Sequence, residues 1–263
     1  MDSPGRKDGG TVEMNRFYVD KKQILGEWVR ITGEDVRHIT KVLRLVTGDP
    51  VVICDGDNTD YEGVIERVGK DEVKVRLGKA SRSGTEAPVE LVLYQAIAKG
   101  AKMEFIIQKG TELGVAAFVP VITSRTVVRL EDWRDTRKKL QRWQRIAMEA
   151  SKQSRRGEIP VMRPPMDFDK AIEEMAGYGL ALLLHAGERD TSIGAIPGPV
   201  GDYADIGVMI GPEGGFSDDE VKRARDKGID VVNMGPRTLR TETAGMVIAA
   251  ILMYRFGDLG GRG

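Results

Sequence analysis

Residues 210–221, IGPEGGFSDDEV, decide the fold of the chain, because an apolar strand ends there in a glycine-proline turn and a helix follows. Ser217 and Glu220 have the S-x-x-E spacing of a capping box, so we expect a helix to begin at Ser217. A second apolar run ends in a similar turn at residues 234–245, MGPRTLRTETAG. Two strand–turn–helix units of this kind are typical of an α/β domain.

The chemistry of the two turns limits the ligand that they can bind. Neither contains G-x-G-x-x-G or the lysine-bearing phosphate loop, which argues against a dinucleotide or a nucleoside triphosphate. Asp218 and Asp219 place negative charge at the start of the helix, where a phosphate would otherwise bind. Glycines let a backbone approach a ligand closely. We therefore expect a neutral or cationic ligand, for which S-adenosylmethionine is a candidate, and tight turns without a ligand are the alternative.

Length and composition bound the class of protein. The chain has 263 residues, of which 41% are hydrophobic, and no apolar run approaches the length of a membrane span. It shows no charged-then-apolar leader, and its single cysteine, Cys54, excludes an internal disulfide, so we expect a cytoplasmic protein without membrane association. One cysteine and two histidines give no support to a zinc site, and no metal is expected.

Two rhythms divide the chain into domains. Short β-type runs over residues 15–77 predict a small β-barrel, and residues 89–263 alternate apolar strands with helices, which predicts a parallel sheet covered on both faces. Residues 78–88 are small and polar and predict a linker, and residues 1–14 predict a disordered tail. The barrel includes one helix, expected to be capped by Thr32 or Asp35. Its predicted apolar face consists of Val36, Ile39, Val42 and Leu43.

Charge is unevenly distributed along the chain. Residues 125–163 are strongly basic, whereas residues 164–263 are acidic. The basic segment contains a predicted long helix, and its basic side chains lie off an apolar stripe. They fit a polyanionic partner, with a solvated helix face as the alternative. The two tryptophans of the stripe fit core anchors better than platforms for stacked bases. The stripe consists of Trp133, Leu140, Trp143, Ala147 and Ala150.

The two glycine-proline turns together closely resemble the signature of the ribosomal RNA small subunit methyltransferase E family. Similar motifs follow in the family's order, including YQAIAKGAKMEFIIQKGTELGV, SRTVV, RWQRIAMEASKQSRR and the N-terminal RFYV and HITKVLRLVTGD. Members of this family are SPOUT-type enzymes that methylate N3 of one uridine in 16S rRNA. The resemblance implies a PUA-like RNA-binding barrel at 15–77 and a SPOUT-type parallel sheet with a trefoil knot at 89–263. Knots are almost absent from proteins, so only the resemblance implies this one.

The resemblance also implies a binding site for S-adenosylmethionine. The cofactor is expected within the knot, between the loops at residues 184–187, 210–215 and 234–239 and the start of the last helix. Plain strand-end packing is the alternative for His185. The expected cofactor-binding residues are Leu184, His185, Gly187, Ile210, Gly211, Glu213, Gly214, Met234, Gly235, Leu239, Thr243 and Ala244.

Chemistry at uridine N3 requires loss of its proton, which spreads negative charge onto the neighbouring uracil oxygens. Arginine donors beside those oxygens would stabilise the charge. The expected catalytic residues are Arg156, Arg240 and Glu242. For Glu242, an acidic first-turn residue of the last helix is the alternative, and no general base is assigned. The expected substrate-binding residues are Arg16, Lys41, Arg44, Arg125, Arg142, Arg145, Arg155 and Arg237.

Family membership implies partners as well. They are 16S rRNA, presented by the 30S ribosomal subunit, and a second copy of the chain, for which the nearly all-apolar last helix offers an interface. Arg155 stands where the family commonly has a small residue, often glycine, and Met234 stands where it usually has leucine. The alternatives are a knotted methyltransferase acting on tRNA or 23S rRNA and a non-catalytic RNA-binding assembly protein. A nicotinamide-dependent oxidoreductase lacks its glycine fingerprint here.

Overall fold

A computed structural model describes residues 14–127, 133–198 and 202–261 of the chain. These residues form two compact units, which separate between Gly84 and Thr85. The separation falls inside the predicted linker, although residues 78–82 belong to the last strand of the first unit rather than to a linker. The predicted tail at 1–14 lies outside the described residues except for Met14. None of the described helices is long and apolar enough to span a membrane.

The first unit is a six-stranded sheet in the order β1-β4-β5-β6-β3-β2. β1 and β4 pair in parallel and the other neighbours pair antiparallel. Alternate residues point into one core, so that Val29 and Ile31 face Val75 and Val73 across the sheet. The short β-type runs of residues 15–77 predicted this small β domain. The strands are β1 Asn15–Tyr18, β2 Ile24–Leu25, β3 Trp28–Thr32, β4 Pro50–Cys54, β5 Thr59–Val68 and β6 Glu72–Arg82.

The helix of the first unit begins differently from the prediction. α1, Glu34–Arg37, follows Gly33, which has a φ of 77°. Glycine has no side chain, so the first amides of the helix receive no side-chain cap. The predicted caps, Thr32 and Asp35, are therefore wrong, because Thr32 ends β3 and Asp35 lies within the first turn. After α1 the chain continues as a π-helical turn, His38–Leu43.

The π-helical turn also changes which side chains the helix buries. Val36 and Ile39 are in the core and Leu43 packs against it, as predicted. Val42 was predicted to share their face, but it is 65% exposed. A π turn contains more residues than an α turn, so it rotates Val42 away from the core.

The second unit is a parallel sheet in the order β10-β8-β7-β12-β11-β13, with the short β9 beside β8. Every pairing in it is parallel, which confirms the predicted α/β architecture. The strands are β7 Glu90–Ala96, β8 Ala117–Ile122, β9 Val161–Met162, β10 Met166–Asp167, β11 Leu180–Leu184, β12 Asp205–Ile210 and β13 Asp230–Val232. The helices are α2 Lys102–Glu112, α3 Trp133–Ser154, α4 Phe168–Met175, α5 Asp218–Asp226 and α6 Thr241–Arg255.

Helices cover both faces of this sheet, which explains why its strands are apolar throughout. Leu91 and Leu93 of β7 belong to a core cluster shared with α2, α3 and α6. Val92 and Tyr94 belong to a second cluster shared with α4 and α5. The alternation along one strand therefore places the two cores on opposite sides of the sheet.

The long basic helix α3 uses its apolar stripe for packing. Trp143, Ala147 and Ala150 are buried, and Leu140 packs against the same core. These positions confirm the core prediction for the described part of the stripe. The side chain of Trp133 lies outside the described residues.

Candidate functional site

A cavity of about 560 Å³ lies at the carboxyl edge of the parallel sheet. The loops after β11, β12 and β13 meet around it, because these three strands are neighbours and point in the same direction. Its size falls in the roughly 300–1,000 Å³ range of small-molecule sites, and its position is where open α/β sheets bind ligands. It is lined by Lys102, Arg125, Leu184, His185, Ala186, Ile210, Gly211, Pro212, Glu213, Gly214, Gly215, Phe216, Met234, Gly235, Arg237, Thr238, Leu239, Arg240, Thr241 and Ala244.

Most of the expected cofactor-binding residues line this cavity, and two do not. Gly187 and Thr243 are absent from the lining. A Cβ atom on Gly187 would come within 2.5 Å of His185 Nε2, so this glycine makes room for the imidazole ring. Thr243 lies on α6 between Glu242 and the lining residue Ala244.

The glycines of the loops have two different reasons to be glycine. Gly235 has a φ of 96°, in the left-handed region that other residues avoid. Gly211 has an ordinary φ, but a Cβ atom there would lie 3.2 Å from the ring of Phe216, which is buried against the loop. The first glycine is thus required by backbone conformation and the second by close packing.

A buried chain of hydrogen bonds fixes the loop after β12 to the start of α6. The Nε2 atom of Gln95, a fully buried residue of β7, donates to Thr241 Oγ1 at 2.9 Å. Thr241 Oγ1 in turn donates to the Gly211 carbonyl at 2.7 Å. Buried hydrogen bonds of this kind rigidify a site, and one acceptor of the chain, Gln95 Oε1, has no hydrogen-bond partner among the described residues. The two glycine-proline turns are therefore held to each other through the interior of the sheet.

The other two loops are fixed by side chains next to the cavity. Asn233 accepts a hydrogen bond from the Gly235 N–H group at 2.9 Å and donates to the Thr191 carbonyl at 3.1 Å. Glu188 accepts from the N–H groups of residues 189–191 and from Arg225. These backbone donors hold the pKa of Glu188 below its ordinary value despite its burial. The cavity is consequently bounded by loops with defined shapes.

Positive charge predominates on the cavity wall. Arg237 and Arg240 are exposed in the loop after β13, and Arg125 is exposed in the loop after β8. Glu213 is the acidic residue of the lining, and its carboxylate accepts a hydrogen bond from Lys102 Nζ at 2.7 Å. Burial raises the pKa of Glu213, but the Lys102 bond and backbone donors outweigh it, so the net pKa lies below the ordinary value.

Lys102 lines the cavity and was not among the site residues predicted from the sequence. It begins α2, directly after the turn that follows β7, and lies between Glu213 and Glu242. The rule that ligands bind beyond the carboxyl ends of parallel strands would have indicated this turn. Glu242 Oε2 is buried, lies 3.9 Å from Lys102 Nζ and accepts no hydrogen bond among the described residues. Glu242 is also an acidic first-turn residue of α6, as its alternative assignment anticipated.

Arg156, which was expected to be catalytic, does not line the cavity. Its side chain is 6% exposed, and two of its nitrogens donate to Glu86 Oε2, the shorter bond being 2.7 Å. Nη1 donates to the carbonyls of Thr111 and Val115. The opposite oxygen of Glu86 accepts the Gly157 N–H group. These acceptors fix the guanidinium in the interior of the second unit, and the catalytic role expected for Arg156 stays a prediction.

Arg16 is a second arginine whose guanidinium donates to acceptors within the fold. It was expected to bind substrate, but its Nη2 atom donates to Asp60 at 2.7 Å and to Ser83 at 3.1 Å within the first unit. Its side chain is 11% exposed, so most of it lies inside the first unit.

The remaining expected substrate contacts lie on the surface. Lys41 and Arg44 are exposed on the first unit, and Arg145 and Arg155 are exposed on the second. Arg155 has a φ of 59°. This left-handed conformation favours glycine, which agrees with the small residue that the family resemblance led us to expect at this position. Arg142 is exposed and donates to Glu104 at 2.8 Å.

Fold and cavity together define a class of protein, an RNA-modifying methyltransferase. Residues 85–253 match the model of an RNA methyltransferase domain, and residues 31–78 match that of an RNA methyltransferase PUA domain. The first unit is thus PUA-like, and the second is a methyltransferase domain of the SPOUT type.

Individual relatives narrow the class. The ribosomal RNA small subunit methyltransferase E of Aquifex aeolicus is 38% identical over 91% of this chain and 99% of its own length. That of Bacillus subtilis is 32% identical over 92% and 97%. The chain belongs to the ribosomal RNA small subunit methyltransferase E family.

Solved structures show the same fold with a cofactor bound. A methyltransferase from Legionella pneumophila in complex with S-adenosylmethionine is 36% identical, with a TM-score of 0.80 over 94% of this chain and 100% of that one. The ribosomal RNA small subunit methyltransferase E of Neisseria gonorrhoeae, bound to S-adenosylmethionine, is 31% identical, with a TM-score of 0.81 and the same coverage.

Proposed function

We propose that this chain transfers a methyl group from S-adenosylmethionine to N3 of one uridine in 16S rRNA, presented by the 30S subunit in the cytoplasm. The observation that carries the proposal is the cavity, in which three fixed loops meet at the carboxyl edge of the sheet. Family membership supports the reaction class and the ribosomal substrate. We further propose that the second unit contains the trefoil knot of its family.

The cavity fits S-adenosylmethionine and fits a phosphate-bearing cofactor poorly. Ser217 and Glu220 form a complete capping box, so the amides of these two residues at the start of α5 are already used and do not serve a phosphate. Close packing at Gly211 and the left-handed Gly235 bring the backbone to the cavity wall without side chains in between. Met234, Leu239 and Ala244 supply apolar surface for an adenine ring. These features suit a ligand recognised through backbone groups and shape.

Arginines at the rim are proposed to prepare the uridine. When bound, the cofactor supplies an electrophilic methyl carbon attached to sulfur. N3 attacks that carbon as its N–C bond forms and the C–S bond breaks, after the N3 proton has left. Arg237 and Arg240 are exposed at the cavity and can donate to the uracil oxygens that take up the charge. Holding the two substrates in line supplies the remaining acceleration.

Glu242 is not among the residues that line the cavity, but we propose that it binds an N–H donor beside it. Its Oε2 atom is buried next to Lys102 and accepts no hydrogen bond among the described residues, so it has capacity for a donor from cofactor or substrate. Lys102 keeps a positive charge beside it and beside Glu213. The Glu242→Gln variant should therefore lose activity while retaining the fold.

Methyl transfer to purified subunits tests the proposal. The protein is incubated with labelled S-adenosylmethionine and 30S subunits from a strain without the mark, and modified nucleosides are mapped by mass spectrometry. We expect 3-methyluridine at a single 16S site. Naked 16S rRNA, tRNA and 50S subunits are the controls, and exclusive labelling of one of the last two would replace the proposed substrate. Cofactor binding without transfer to any RNA would leave an RNA-binding assembly protein.

A homodimer is proposed from the exposed side of α6. One side of this helix is buried at Ile248, Leu252 and Met253. The opposite side is only partly covered although it is apolar, and it ends in Tyr254, which is 66% exposed. An apolar helix face of this kind needs a partner surface. Light scattering should give twice the chain mass for the native protein and a monomer for Tyr254→Asp, and a native monomer would contradict the proposal.

A further inference from the structure

Glu220 makes a hydrogen bond that helix capping does not explain. Its side chain is buried at 1% exposure, and Oε2 accepts the Ser217 N–H group at 2.9 Å, which completes the capping box. The other oxygen, Oε1, accepts the N–H group of Ser124 at 2.8 Å. Ser124 belongs to a different loop, the one that follows β8. One carboxylate therefore joins the start of α5 to the neighbouring loop of the sheet.

The loop that receives this bond is a tight turn with an arginine near its tip. Thr123 and Thr126 close the turn, because the Thr126 N–H group donates to the Thr123 carbonyl at 3.1 Å and Thr126 Oγ1 accepts the Thr123 N–H group at 3.0 Å. Arg125 lies between them and lines the cavity. Its Nη1 atom donates to the Gly214 carbonyl at 2.7 Å. The turn thus contacts the 211–216 loop through Arg125 and the start of α5 through Ser124.

We infer that Glu220 is a positioning residue, which holds the Ser124 turn so that Arg125 stays at the cavity rim for the RNA substrate. The inference rests on the proposed function and assigns different roles to two residues, positioning to Glu220 and RNA binding to Arg125. The buried carboxylate fixes the backbone. The exposed guanidinium uses one donor on Gly214, and its other donors, which have no partner among the described residues, can bind a phosphate or a base. Without the carboxylate, the Ser124 amide loses a charge-assisted acceptor and the turn becomes free to move.

A double-mutant cycle tests the inference. Glu220→Ala, Arg125→Ala and the double variant are compared with the native protein for kcat and KM toward 30S subunits and for the Kd of S-adenosylmethionine. We expect Glu220→Ala to raise the KM for RNA about tenfold when Arg125 is present and less than twofold when it is absent. The Kd of the cofactor should change less than threefold. An equal effect in both backgrounds would overturn the inference, as would equal losses of RNA and cofactor affinity.

Ser217→Ala is the matched control, because it removes the capping hydroxyl and leaves the Glu220–Ser124 bond in place. We expect this variant to lower the unfolding temperature and leave the KM for RNA within twofold of the native value. If Glu220→Ala does not fold, the cycle is repeated with Glu220→Gln, whose amide has one acceptor oxygen for two backbone donors.

Failure of the inference is distinguishable from failure of the proposed function. Absence of methyl transfer by the native protein would reject the function. The same cycle would then be measured on the Kd of a 16S rRNA fragment, where Glu220 and Arg125 should still show coupled losses. Normal transfer by the native protein with uncoupled variants would reject the inference alone.

Discussion

Arg125 and Arg156 belong to the same basic segment, yet one lies at the rim of the cavity and the other in the interior. Arg125 is exposed and donates one hydrogen bond, to a carbonyl of the 211–216 loop. Arg156 is buried, and its guanidinium donates to a carboxylate and two carbonyls. A guanidinium whose donors are fixed by the protein holds the fold, whereas one with donors to spare can hold a ligand. The number of internal acceptors separates the two roles.

The largest expected effect is on the buried arginine. Arg156→Ala leaves the Glu86 carboxylate buried without its cation, so the free energy of unfolding should fall by about 3–5 kcal/mol. Arg125→Ala should change it by no more than about 0.5 kcal/mol. Urea denaturation of both variants measures the difference. Full stability of Arg156→Ala together with loss of methyl transfer would contradict this distinction and support a catalytic role for Arg156.

The second largest effect is expected from alanine at two left-handed glycines, one at the cavity and one away from it. Gly235 and Gly228 both have left-handed φ values, 96° and 81°, and a Cβ atom would touch nothing within 4 Å at either. Each change to alanine should cost about 1–2 kcal/mol of stability. Only Gly235→Ala should weaken S-adenosylmethionine binding, by about tenfold, a loss of about 1.4 kcal/mol. Calorimetry and thermal unfolding measure both quantities, and equal cofactor affinity of the two variants would contradict the assignment of the loop.

The smallest effect is expected for Arg163, whose exposure lies between that of the buried Arg156 and that of the exposed Arg125. Arg163 is about one-third exposed and donates two hydrogen bonds to Glu174, at 2.5 and 2.6 Å. These bonds hold the pKa of Glu174 below its ordinary value. The pair therefore stabilises the fold above the unfolded-state pKa of glutamate, and this contribution is lost as pH falls through the lower folded-state pKa.

Arg163→Met should lower the free energy of unfolding at pH 7 by about 1 kcal/mol or less, because solvent screens a pair that is about one-third exposed. The difference from the native protein should shrink as the pH is lowered below 4.5, the ordinary pKa of this carboxyl group. Denaturation curves across this range measure it. A difference that stays constant at low pH would show that packing, rather than charge, links Arg163 to the fold.

Local patterns predicted much of the fold. Apolar runs that alternate with helical patterns predicted the parallel sheet of the second unit, although not its helix α4, and the S-x-x-E spacing predicted the Ser217 cap. The helix of the first unit was less predictable, because a π turn shifts Val42 without a local sequence signal. Periodicity reports only on residues that are close along the chain, so it predicts secondary structure best where local sequence determines it.

The site was predictable as a set of loops and less so as a set of roles. Gly211, Met234 and Leu239 follow apolar strands, so their meeting at one edge follows from a parallel sheet. The burial of Arg156 depends on Glu86, which is 70 residues away along the chain and was assigned to a linker. The sequence motif predicted an arginine at this position. Its contact with Glu86, far away along the chain, is what shows that the side chain is buried.

Cys54 is the single cysteine of the sequence and is buried, which makes the protein convenient for site-directed spectroscopy. The thiol is buried in the first unit, and burial raises its pKa to about 11. At neutral pH it is therefore almost entirely protonated and shielded from maleimide reagents, which require an accessible thiolate. A single cysteine introduced on the exposed turn of Arg125 could carry a fluorophore or spin label without removal of the native thiol, and it would report directly on movement of that turn.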